Sequence, residues 1–484
     1  MCGVIGILKE EGVQYDIALA LQAIQHRGQD SCGIATKENK KFFLEKDDGL
    51  VSSVFTPSTL ASFQGNIGMG HVRYPTMGSA GKVNAQPFFE KQPGIFITHN
   101  GNIINYHELR KRFLEESLYL TSSCDVEPVL YVLAEELMSI RKYGHTTEDL
   151  TAALKKTYQR VRGAFTIVGI MYLDGEDTMF ACRDPYGIRP GVWGEQEGSF
   201  MVASESVAME MTGFEYRGDI PNGSLMVFKK GKKPLTVEID VKEHRPCIFE
   251  YIYFARPDSI ISGHSVYDTR LVLGRMLAEK IKRKGIRVDV VIPVPDTARP
   301  AATAIAEELD VPVRDGFIKN RYSGRTFIMP SQYDREFAMR LKHNTIEGEF
   351  KDKRVLIVDD SIVRGTTTKH IVSLVGRSQP KELHIGIFSP PVYYPCYYGI
   401  DISRQHELIA RKYSDCYQEG IDHFEEKMAH FTGADSLTYL DIPDVRKALG
   451  QPVCAACFDG DYPLPLKEDE QRSIENDRDE YQKC

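Results

Sequence analysis

The first half of the chain alternates short apolar runs with amphipathic stretches. Apolar runs bounded by Gly or Asp at Gly94–Thr98, Gly163–Leu173 and Phe200–Ala203 have the length of β-strands. Between the first two of these runs, apolar residues recur at helical spacing at Leu150, Leu154, Tyr158 and Val161. We therefore predict a mixed α+β domain in this half.

The second half repeats the order strand, polar loop and helix. Asp289–Pro295 runs through a short polar loop into the helical pattern of Ala298–Leu309. Arg354–Val358 then meets a loop rich in Asp, Ser, Gly and Thr, and an amphipathic stretch continues to Val375. Buried strands that alternate with helices predict an α/β domain with a parallel sheet, in which ligands bind at the carboxyl ends of the strands.

A basic Gly/Pro segment at Lys229–Pro234 predicts a hairpin turn near a domain edge. We expect domains at residues 2–235 and 236–445, followed by a less regular segment at 446–484. The last part of that segment, Glu468–Cys484, is highly charged and is expected to be a mobile tail.

Composition narrows the class of protein. The 484 residues include 60 Lys and Arg against 68 Asp and Glu, a formal charge of −8, and 42% are hydrophobic. This composition is globular and excludes a disordered chain, a collagen-like fibre and a coiled-coil rod. No apolar run is long enough for a membrane span, and the start lacks the features of a signal peptide. We therefore expect a cytoplasmic protein with no membrane partner, and the negative charge disfavours nucleic acid.

Ten cysteines need an explanation, because disulfides seldom persist in a reducing cytoplasm. Each must be a core residue, a nucleophile or a metal ligand. Cys2 follows the initiator methionine. Removal of that methionine would leave Cys2 with both a thiol and a free α-amino group. The unperturbed pKa values of these groups are about 8.5 and 7.7–8.0, so the amine can accept the thiol proton near neutral pH. Such a residue contains a nucleophile and its base.

Six motifs occur in order through the first domain. They are CGVIG at Cys2–Gly6, HRGQD at His26–Asp30, HVRYPTMG at His71–Gly78, NAQPF at Asn84–Phe88, HNG at His99–Gly101 and RDPYGIRP at Arg183–Pro190. Together they resemble the motifs of class II glutamine amidotransferases. The resemblance implies an N-terminal nucleophile (Ntn) domain, an αββα sandwich, with Cys2 as the catalytic residue of a glutaminase.

A glutaminase must bind the carboxylate, the ammonium and the reacting amide of its substrate. A guanidinium suits the carboxylate, and the resemblance assigns this role to Arg73. It assigns the ammonium to Asp125. The amide oxygen becomes an oxyanion during thiolate attack and needs fixed donors. The resemblance assigns these to the Asn100 side chain and the Gly101 N–H.

The most specific segment of the chain is Val355–Thr367, VLIVDDSIVRGTT. A strand, two acids and a Ser/Gly/Thr loop that opens a helix can surround a phosphate with backbone N–H groups and hydroxyls. A solvated acidic turn is the alternative, whereas a Walker A loop is excluded because Gly-Lys-Ser/Thr is absent. The segment resembles the phosphoribosylpyrophosphate motif of type I phosphoribosyltransferases. The implied binding residues are Asp359, Asp360, Ser361, Val363, Arg364, Gly365, Thr366, Thr367 and Thr368.

The same resemblance implies a magnesium ion (Mg2+) beside the ribose, held by Asp359, Asp360 and Thr297. Thr297 lies after the earlier strand, in a Pro-Asp-Thr sequence that also occurs as ordinary turn chemistry. The cationic segment Lys319–Ile328, continued by residues 340–342, is similar to the flexible loop of the family. We expect it to be a lid over a polyphosphate, and a cationic surface is the alternative.

A glutaminase followed by a phosphoribosyltransferase resembles the glutamine phosphoribosylpyrophosphate amidotransferase family over nearly the whole chain. The resemblance implies conversion of glutamine, phosphoribosylpyrophosphate and water into 5-phosphoribosylamine, glutamate and pyrophosphate, the first step of purine biosynthesis, with internally channelled ammonia. It also implies a homotetramer that purine nucleotides inhibit. Two alternatives remain open: an amidotransferase like glucosamine-6-phosphate synthase, and a non-catalytic regulator with a phosphoribosyltransferase fold.

Four cysteines are expected to bind an iron-sulfur cluster. Cys454 and Cys457 form a local chelating pair, but such a site needs four ligands. Cys247 and Cys396 stand at positions that resemble the other two ligands of a 4Fe-4S cluster in one branch of the family, although spacing alone also allows zinc. We expect this site to fasten the domain link, the second domain and the tail together. The expected packing residues or non-ligands are Cys32, Cys124, Cys182, Cys416 and Cys484.

Overall fold

Two antiparallel β-sheets stack face to face in the first part of the chain. The computed structural model describes residues 2–75, 81–319, 343–402, 404–413 and 420–481. The strands of the two sheets are β1 (Gly3–Leu8), β2 (Ser31–Glu38), β3 (Lys41–Asp48), β4 (Ile67–Arg73), β5 (Phe88–Glu90), β6 (Ile95–Ile103), β7 (Gly163–Leu173), β8 (Glu176–Arg183), β9 (Val192–Gln196), β10 (Ser199–Ala203), β11 (Glu215–Asp219), β12 (Ser224–Phe228) and β13 (Leu235–Glu238). One sheet has the order β11-β9-β10-β1-β4-β2-β3 and the other β13-β12-β8-β7-β6-β5.

Helices cover the outer face of each sheet. They are α1 (Gln14–Ala23), α2 (Val51–Val54), α3 (Pro57–Ala61), α4 (Tyr106–Glu115), α5 (Val126–Ile140), α6 (Thr147–Arg160) and α7 (Val207–Thr212). Side chains of α1 and α7 pack on the first sheet, and those of α5 and α6 pack on the second. A separate apolar layer that includes Val4, Val168 and Phe200 fills the space between the sheets. The predicted αββα sandwich is confirmed.

Local sequence accounts for several of these elements. The predicted strand Gly163–Leu173 is β7, with the same bounds. The predicted helical pattern is α6, which begins with a capping box because Thr146 and Asp149 each bond the backbone N–H of the other. The basic segment Lys229–Pro234 joins the antiparallel strands β12 and β13, as the hairpin prediction requires.

A four-stranded parallel sheet organises the second part of the chain. Its strands, in the order β16-β19-β20-β21, are β16 (Val290–Pro293), β19 (Arg354–Asp359), β20 (Glu382–Ile387) and β21 (Ser436–Tyr439). Short strands complete the described set: β14 (Ile260–Ile261), β15 (His264–Ser265), β17 (Phe317–Lys319) and β18 (His343–Thr345). The predicted parallel sheet is therefore confirmed.

Helices cover both faces of the parallel sheet. They are α8 (Val266–Arg283), α9 (Arg299–Leu309), α10 (Thr366–Gly376), α11 (Ile409–Tyr413), α12 (Ile421–Thr432), α13 (Ile442–Leu449), α14 (Ala456–Asp459) and α15 (Glu468–Tyr481). Alternate residues of β19 face opposite sides, so Leu356 packs with α8 and α9 while Ile357 packs with α10 and α12. Among the described helices, none has the length and apolar composition needed to cross a bilayer.

The charged C-terminal segment differs from the predicted mobile tail. Glu468–Tyr481 of this segment form α15, whose Ile474 is fully buried. Glu470 pairs with Arg162 at 2.7 Å, and Glu475 accepts a hydrogen bond from the Tyr397 hydroxyl at 2.9 Å. One buried apolar residue and two polar contacts therefore hold α15 against the rest of the protein. The highly charged sequence of this segment did not predict that helix.

Candidate functional site

Cys2 lies immediately before β1, an inner strand of the first sheet, and its side chain is buried. Its thiol donates a hydrogen bond to the Tyr74 carbonyl at 3.6 Å. The Arg27 Nε donates to the Cys2 carbonyl at 3.0 Å. The strand that begins after Cys2 pairs with the strand that ends at Arg73, so these two residues lie at the same end of neighbouring strands.

A buried ion network holds Arg27 in place. Its guanidinium bonds to Glu250 at 2.7 Å and also to Glu205. Glu250 binds Arg189 as well, and Glu205 lies 2.7 Å from His26. Burial opposes ionisation of Glu205, but His26 and Arg27 outweigh this effect and lower the pKa of Glu205 far below its ordinary range. Paired charges therefore hold Arg27 in place, and Arg27 in turn donates to the Cys2 carbonyl.

The predicted oxyanion-binding residues lie on β6. Asn100 is fully buried, and its amide Nδ2 is 3.3 Å from the Ser204 hydroxyl. The same hydroxyl accepts the Val4 N–H at 3.0 Å, so it connects β6 to β1, the strand that follows Cys2. At Gly101 a Cβ would lie 2.0 Å from the Ala164 carbonyl oxygen, so only glycine fits this backbone.

Asp125 and Arg73, the predicted partners of an amino acid substrate, are both buried. Asp125 accepts the Ile103 N–H at 2.9 Å and lies 3.3 Å from His99 Nε2. The Gln86 amide donates to His99 Nδ1 at 3.0 Å, so Nε2 is the ring nitrogen that donates to Asp125. Burial opposes ionisation of Asp125, but His99, the Ile103 N–H and Arg73 together lower its pKa. The site therefore contains a fixed carboxylate for an ammonium group.

Sequence reasoning did not single out Gln86, Ser204 or Glu205. Gln86 lies inside one of the recognised motifs, which was the available signal for it. Ser204 and Glu205 follow directly on the buried strand β10. Polar residues at the end of a buried strand were the only local sign of their role, because their partners are distant in sequence.

Asp359 ends β19, and Asp360 begins the loop that follows. The Asp360 N–H donates to the Asp359 carboxylate at 2.9 Å, and the Ser361 hydroxyl donates to Asp360 at 2.6 Å. Burial, and then the charge of Asp360, raises the pKa of Asp359 well above its ordinary range. Burial also raises the pKa of Asp360 to about 6. Adjacent carboxyls with raised pKa values are suited to a cation.

The predicted phosphate loop leads into α10 through Gly365, whose φ is 76°. A Cβ there would lie 2.9 Å from the Phe431 ring, so glycine is needed for two reasons. The loop and the first turn of α10 contain Ser361, Val363, Arg364, Thr366, Thr367 and Thr368. The Arg364 guanidinium pairs with Glu407 at 2.9 Å. The N-terminus of α10 offers N–H donors to a phosphate.

Thr297 lies in the loop between β16 and α9 and is half-buried. Strands β16 and β19 are parallel, with Pro293 beside Val358, so this loop and the acidic loop leave the same edge of the sheet. The structure thus brings Thr297 to the edge that the sequence predicted. The predicted lid, Lys319–Ile328 with residues 340–342, lies outside the described residues except for the backbone at its first position.

The four predicted cluster ligands, Cys247, Cys396, Cys454 and Cys457, line one cavity. Its other lining residues are apolar or aromatic: Ile188, Phe249, Tyr398, Ile400, Ala456 and Tyr462. The structure therefore brings together thiols from three separate segments. Cys182 is buried in the first domain, and Cys416 and Cys484 lie outside the described residues.

Backbone contacts hold the cysteine segments against one another. The Cys454 N–H donates to the Pro246 carbonyl at 2.9 Å, and the Tyr398 N–H donates to the Cys396 sulfur at 3.4 Å. Burial raises the pKa of Cys247 to about 12. Within the described ranges, no three or more His, Cys, Asp or Glu side chains are arranged to hold a single metal ion. A buried thiol set with an N–H donor to sulfur has the chemistry that an iron-sulfur cluster needs.

The predicted glutaminase site contacts the second domain through the segment 396–401. Asn102 of β6 donates to the Tyr397 carbonyl at 2.9 Å. The Tyr74 hydroxyl donates to the Asp401 carboxylate at 2.8 Å. Strand β6, with the predicted oxyanion donors, and Tyr74, which contacts Cys2, thus both meet the second domain directly.

Comparisons with known families match both parts of the chain. Residues 73–211 match a glutamine amidotransferase domain, and residues 264–390 match a phosphoribosyl transferase domain. The second match is a phosphoribosyltransferase and not a sugar isomerase, so the alternative like glucosamine-6-phosphate synthase is wrong.

Similarity to individual proteins extends over nearly the whole chain. The amidophosphoribosyltransferase of Pseudomonas aeruginosa is 41% identical over 477 residues, which cover 96% of this chain and 93% of the relative. That of Saccharomyces cerevisiae is 39% identical, with 92% of this chain and 88% of the relative covered. The solved glutamine phosphoribosylpyrophosphate amidotransferase of B. subtilis, complexed with ADP and GMP, has a TM-score of 0.85 and 34% identity, and the match covers 97% of this chain and 98% of that one. The chain therefore belongs to the amidophosphoribosyltransferase family, whose members are pentosyltransferases of purine biosynthesis.

Proposed function

We propose that the chain converts glutamine, phosphoribosylpyrophosphate and water into 5-phosphoribosylamine, glutamate and pyrophosphate. One observation carries this proposal: Tyr74 accepts the Cys2 thiol hydrogen bond on its carbonyl and donates its hydroxyl to Asp401 of the second domain. Tyr74 thus connects the nucleophile to the second domain. That domain contains residues 359–368, which we call the phosphoribosyl loop.

Cys2 performs the glutaminase half of the reaction. After removal of the initiator methionine, its α-amino group accepts the thiol proton, and the sulfur attacks the carboxamide carbon of glutamine. Ammonia leaves, a glutamyl thioester remains on the sulfur, and water hydrolyses this thioester to glutamate. Arg73 binds the substrate carboxylate and Asp125 its ammonium group. Asn100 and the Gly101 N–H stabilise the oxyanion.

The second domain performs the transfer half. The loop from Ser361 to Thr368 binds the 5-phosphate with its N–H groups and hydroxyls. Ammonia attacks C1 of the ribose, the bond from C1 to pyrophosphate breaks, and the electron pair leaves with pyrophosphate. Asp359 and Asp360 face the ribose hydroxyls and stabilise the positive charge that develops at C1.

Asp359, Asp360 and Thr297 would hold a magnesium ion, which would neutralise the departing pyrophosphate. The raised pKa values of the two adjacent carboxyls fit a divalent cation. Titration with magnesium of protein stripped by a chelator should show binding that depends on both carboxylates.

Cys247, Cys396, Cys454 and Cys457 would hold a 4Fe-4S cluster, which would supply a structural cross-link between three segments. The buried thiols and the N–H donor to Cys396 support this assignment. Protein purified without oxygen should be brown and should contain about four irons per chain. A colourless protein with zinc in this cavity would contradict the assignment.

Ammonia passes between the sites inside the protein, and the contacts of segment 396–401 with the glutaminase site support this route. Glutamate and phosphoribosylamine should therefore form in a ratio near one, even when an added enzyme removes ammonia from solution. A yield that falls with the scavenging enzyme would contradict internal transfer.

The chain functions in the cytoplasm as a homotetramer that purine nucleotides inhibit. The similar B. subtilis protein, complexed with ADP and GMP, supports nucleotide regulation. Native mass spectrometry tests the tetramer, and inhibition assays with ADP and GMP test the regulation.

Glutamate release measured with and without phosphoribosylpyrophosphate tests the overall function. The proposal requires stimulation by the second substrate and formation of pyrophosphate. A protein that binds phosphoribosylpyrophosphate without turnover would support a non-catalytic regulator instead.

A further inference from the structure

The carboxamide of Asn100 has one polar atom without a partner. Its Nδ2 faces the Ser204 hydroxyl at 3.3 Å, while the buried Oδ1 has no hydrogen-bond partner among the described protein atoms. An unpaired buried carbonyl oxygen is costly, and here it lies on the residue assigned to bind an oxyanion.

The Ser204 hydroxyl has its own unmet requirement. It already accepts the Val4 N–H at 3.0 Å, and its backbone N–H donates to the Val4 carbonyl at 3.1 Å. If the Ser204 hydroxyl also accepts from Asn100 Nδ2, the hydroxyl proton has no acceptor on Asn100. A hydroxyl that accepts one bond is best satisfied when it donates the next.

Rotation of the carboxamide by half a turn gives Asn100 Oδ1 a donor and the Ser204 hydroxyl an acceptor. A carboxamide keeps nearly the same shape when its oxygen and nitrogen exchange places, so only the hydrogen bonds distinguish the two orientations. In the rotated orientation the Ser204 hydroxyl donates to Asn100 Oδ1. Nδ2 then takes the unpaired position, where it is a free N–H donor.

We propose that Ser204 is a positioning residue that holds Asn100 with its N–H donor toward the glutaminase oxyanion. This inference rests on the proposed glutaminase function of Cys2 and Asn100. Ser204 is bonded to Val4, close behind the nucleophile, so the same side chain sets the distance between the thiol strand and the oxyanion donor. Without this hydroxyl, the amide can turn its oxygen toward the oxyanion and repel it.

The Ser204→Ala variant tests the proposal. The glutamine-dependent kcat should fall by about ten-fold or more, because loss of one oxyanion donor costs about 10²–10³-fold and a freely turning amide retains part of its effect. The KM for glutamine and the ammonia-dependent rate should remain within about two-fold. Alkylation of Cys2 by iodoacetamide should also keep its rate, since this displacement forms no oxyanion. An unchanged kcat would overturn the proposal, as would an equal loss of kcat and alkylation rate.

Ser206→Ala is the matched control. Ser206 is buried on the same tripeptide and also accepts a backbone N–H, from Ile260 at 2.8 Å, but it does not contact Asn100 in the described structure. Its glutamine-dependent kcat should be close to that of the parent protein. A loss equal to that of Ser204→Ala would show a general packing effect and overturn the proposal.

A double-mutant cycle makes the test independent of folding losses. If Ser204 acts through Asn100, then Ser204→Ala should have no further effect on kcat in an Asn100→Ala background. Additive losses would overturn the proposal. If Asn100→Ala alone leaves kcat unchanged, the assigned role of Asn100, and with it the proposed function, is at fault rather than Ser204.

Discussion

The glutaminase site and the phosphoribosyl loop both contain buried or half-buried carboxyls, but their electrostatic surroundings are opposite. In the glutaminase site, Arg27 and His99 stand beside Glu205 and Asp125, and the pKa values of these two carboxyls are lowered. In the phosphoribosyl loop two carboxyls are adjacent, and their pKa values are raised.

This difference means that the charged groups of one site stabilise the fold, whereas those of the other favour ligand binding. The glutaminase site balances its charges within the protein, so its geometry is held before any substrate arrives. The phosphoribosyl loop leaves its negative charge for a ligand to balance, so its carboxyls oppose folding and favour a bound cation. Mutations in the two sites should therefore have opposite effects on stability. They should also differ in their effects on the activities with glutamine and with added ammonia as the nitrogen source.

The largest expected effect is that of Cys2→Ala. Glutamine-dependent synthesis should fall by about 10⁴-fold or more, because the nucleophile is lost. Synthesis with added ammonia should stay within about two-fold, since the phosphoribosyl loop is unchanged. Parallel assays with the two nitrogen sources measure this. Cys32→Ala, which removes a buried thiol from the same sheet, is the control and should retain both activities; loss of both in Cys2→Ala would contradict separable sites.

Asp359→Asn should affect both nitrogen sources equally. Pyrophosphate release should fall by about 10²-fold or more with glutamine and with ammonia, since a carboxylate beside the ribose and the metal is lost. Glu382→Gln removes a partly exposed charge at the opposite end of the neighbouring strand and should have little effect. A loss confined to the glutamine-dependent rate would contradict the assignment of this loop.

Glu250→Gln tests whether the ion network stabilises the fold. The unfolding free energy should fall by about 3 kcal/mol, because two buried arginines lose a shared carboxylate. Denaturant titration measures the change. Glu243→Gln breaks an exposed pair with Arg245 and should cost less than about 1 kcal/mol. Equal effects of the two variants would show that burial of the network adds nothing.

Asp360→Asn should stabilise the protein, with a dependence on pH that follows from its pKa of about 6. The folded state binds more protons than the unfolded state between about pH 4 and 6, so the wild-type stability falls as pH rises through this window. The variant lacks this titrating group. In the presence of a chelator, its free energy of unfolding should exceed that of the wild type by about 2 kcal/mol at pH 7.5 and by almost nothing near pH 4.

Asp125→Asn should change the stability in the direction opposite to that of Asp360→Asn. The lowered pKa of Asp125 gives a stabilising contribution that is present above its unfolded pKa and is lost as pH falls through the folded pKa. This variant should therefore be less stable than the wild type at pH 7.5. If both variants change stability in the same direction there, the electrostatic contrast between the sites is wrong.

The smallest effect is expected at the contact between the regions. Asp401→Ala removes the acceptor of the Tyr74 hydroxyl, a bond worth about 1 kcal/mol. Stimulation of glutamate release by phosphoribosylpyrophosphate should fall by up to about five-fold, while the ammonia-dependent rate is unchanged. Tyr74→Phe should have the same effect, and the two changes should not add. Additive losses would show that the residues act separately.

Sequence predicts features that are local and misses those that depend on distant partners. Strand β7 is one largely apolar run, and the acidic loop with its helix start is contained within Val355–Thr367, so both were predictable. The role of Ser204 was not, because Asn100 is far away in sequence and only the fold brings them together. Ile474 was missed for a related reason: one apolar residue among many charges gives no periodic signal.

The pairing of the cysteine segments constrains when the molecule is assembled. The backbone of Cys247 forms a parallel bridge with that of Cys454, and nearly all of the second domain lies between them in sequence. Ribosomes release the N-terminal residues first, so the link between the domains waits unpaired while the parallel sheet is translated. A nascent chain that stops before residue 454 therefore lacks both the backbone partner of Cys247 and two of the four thiols that line the cavity.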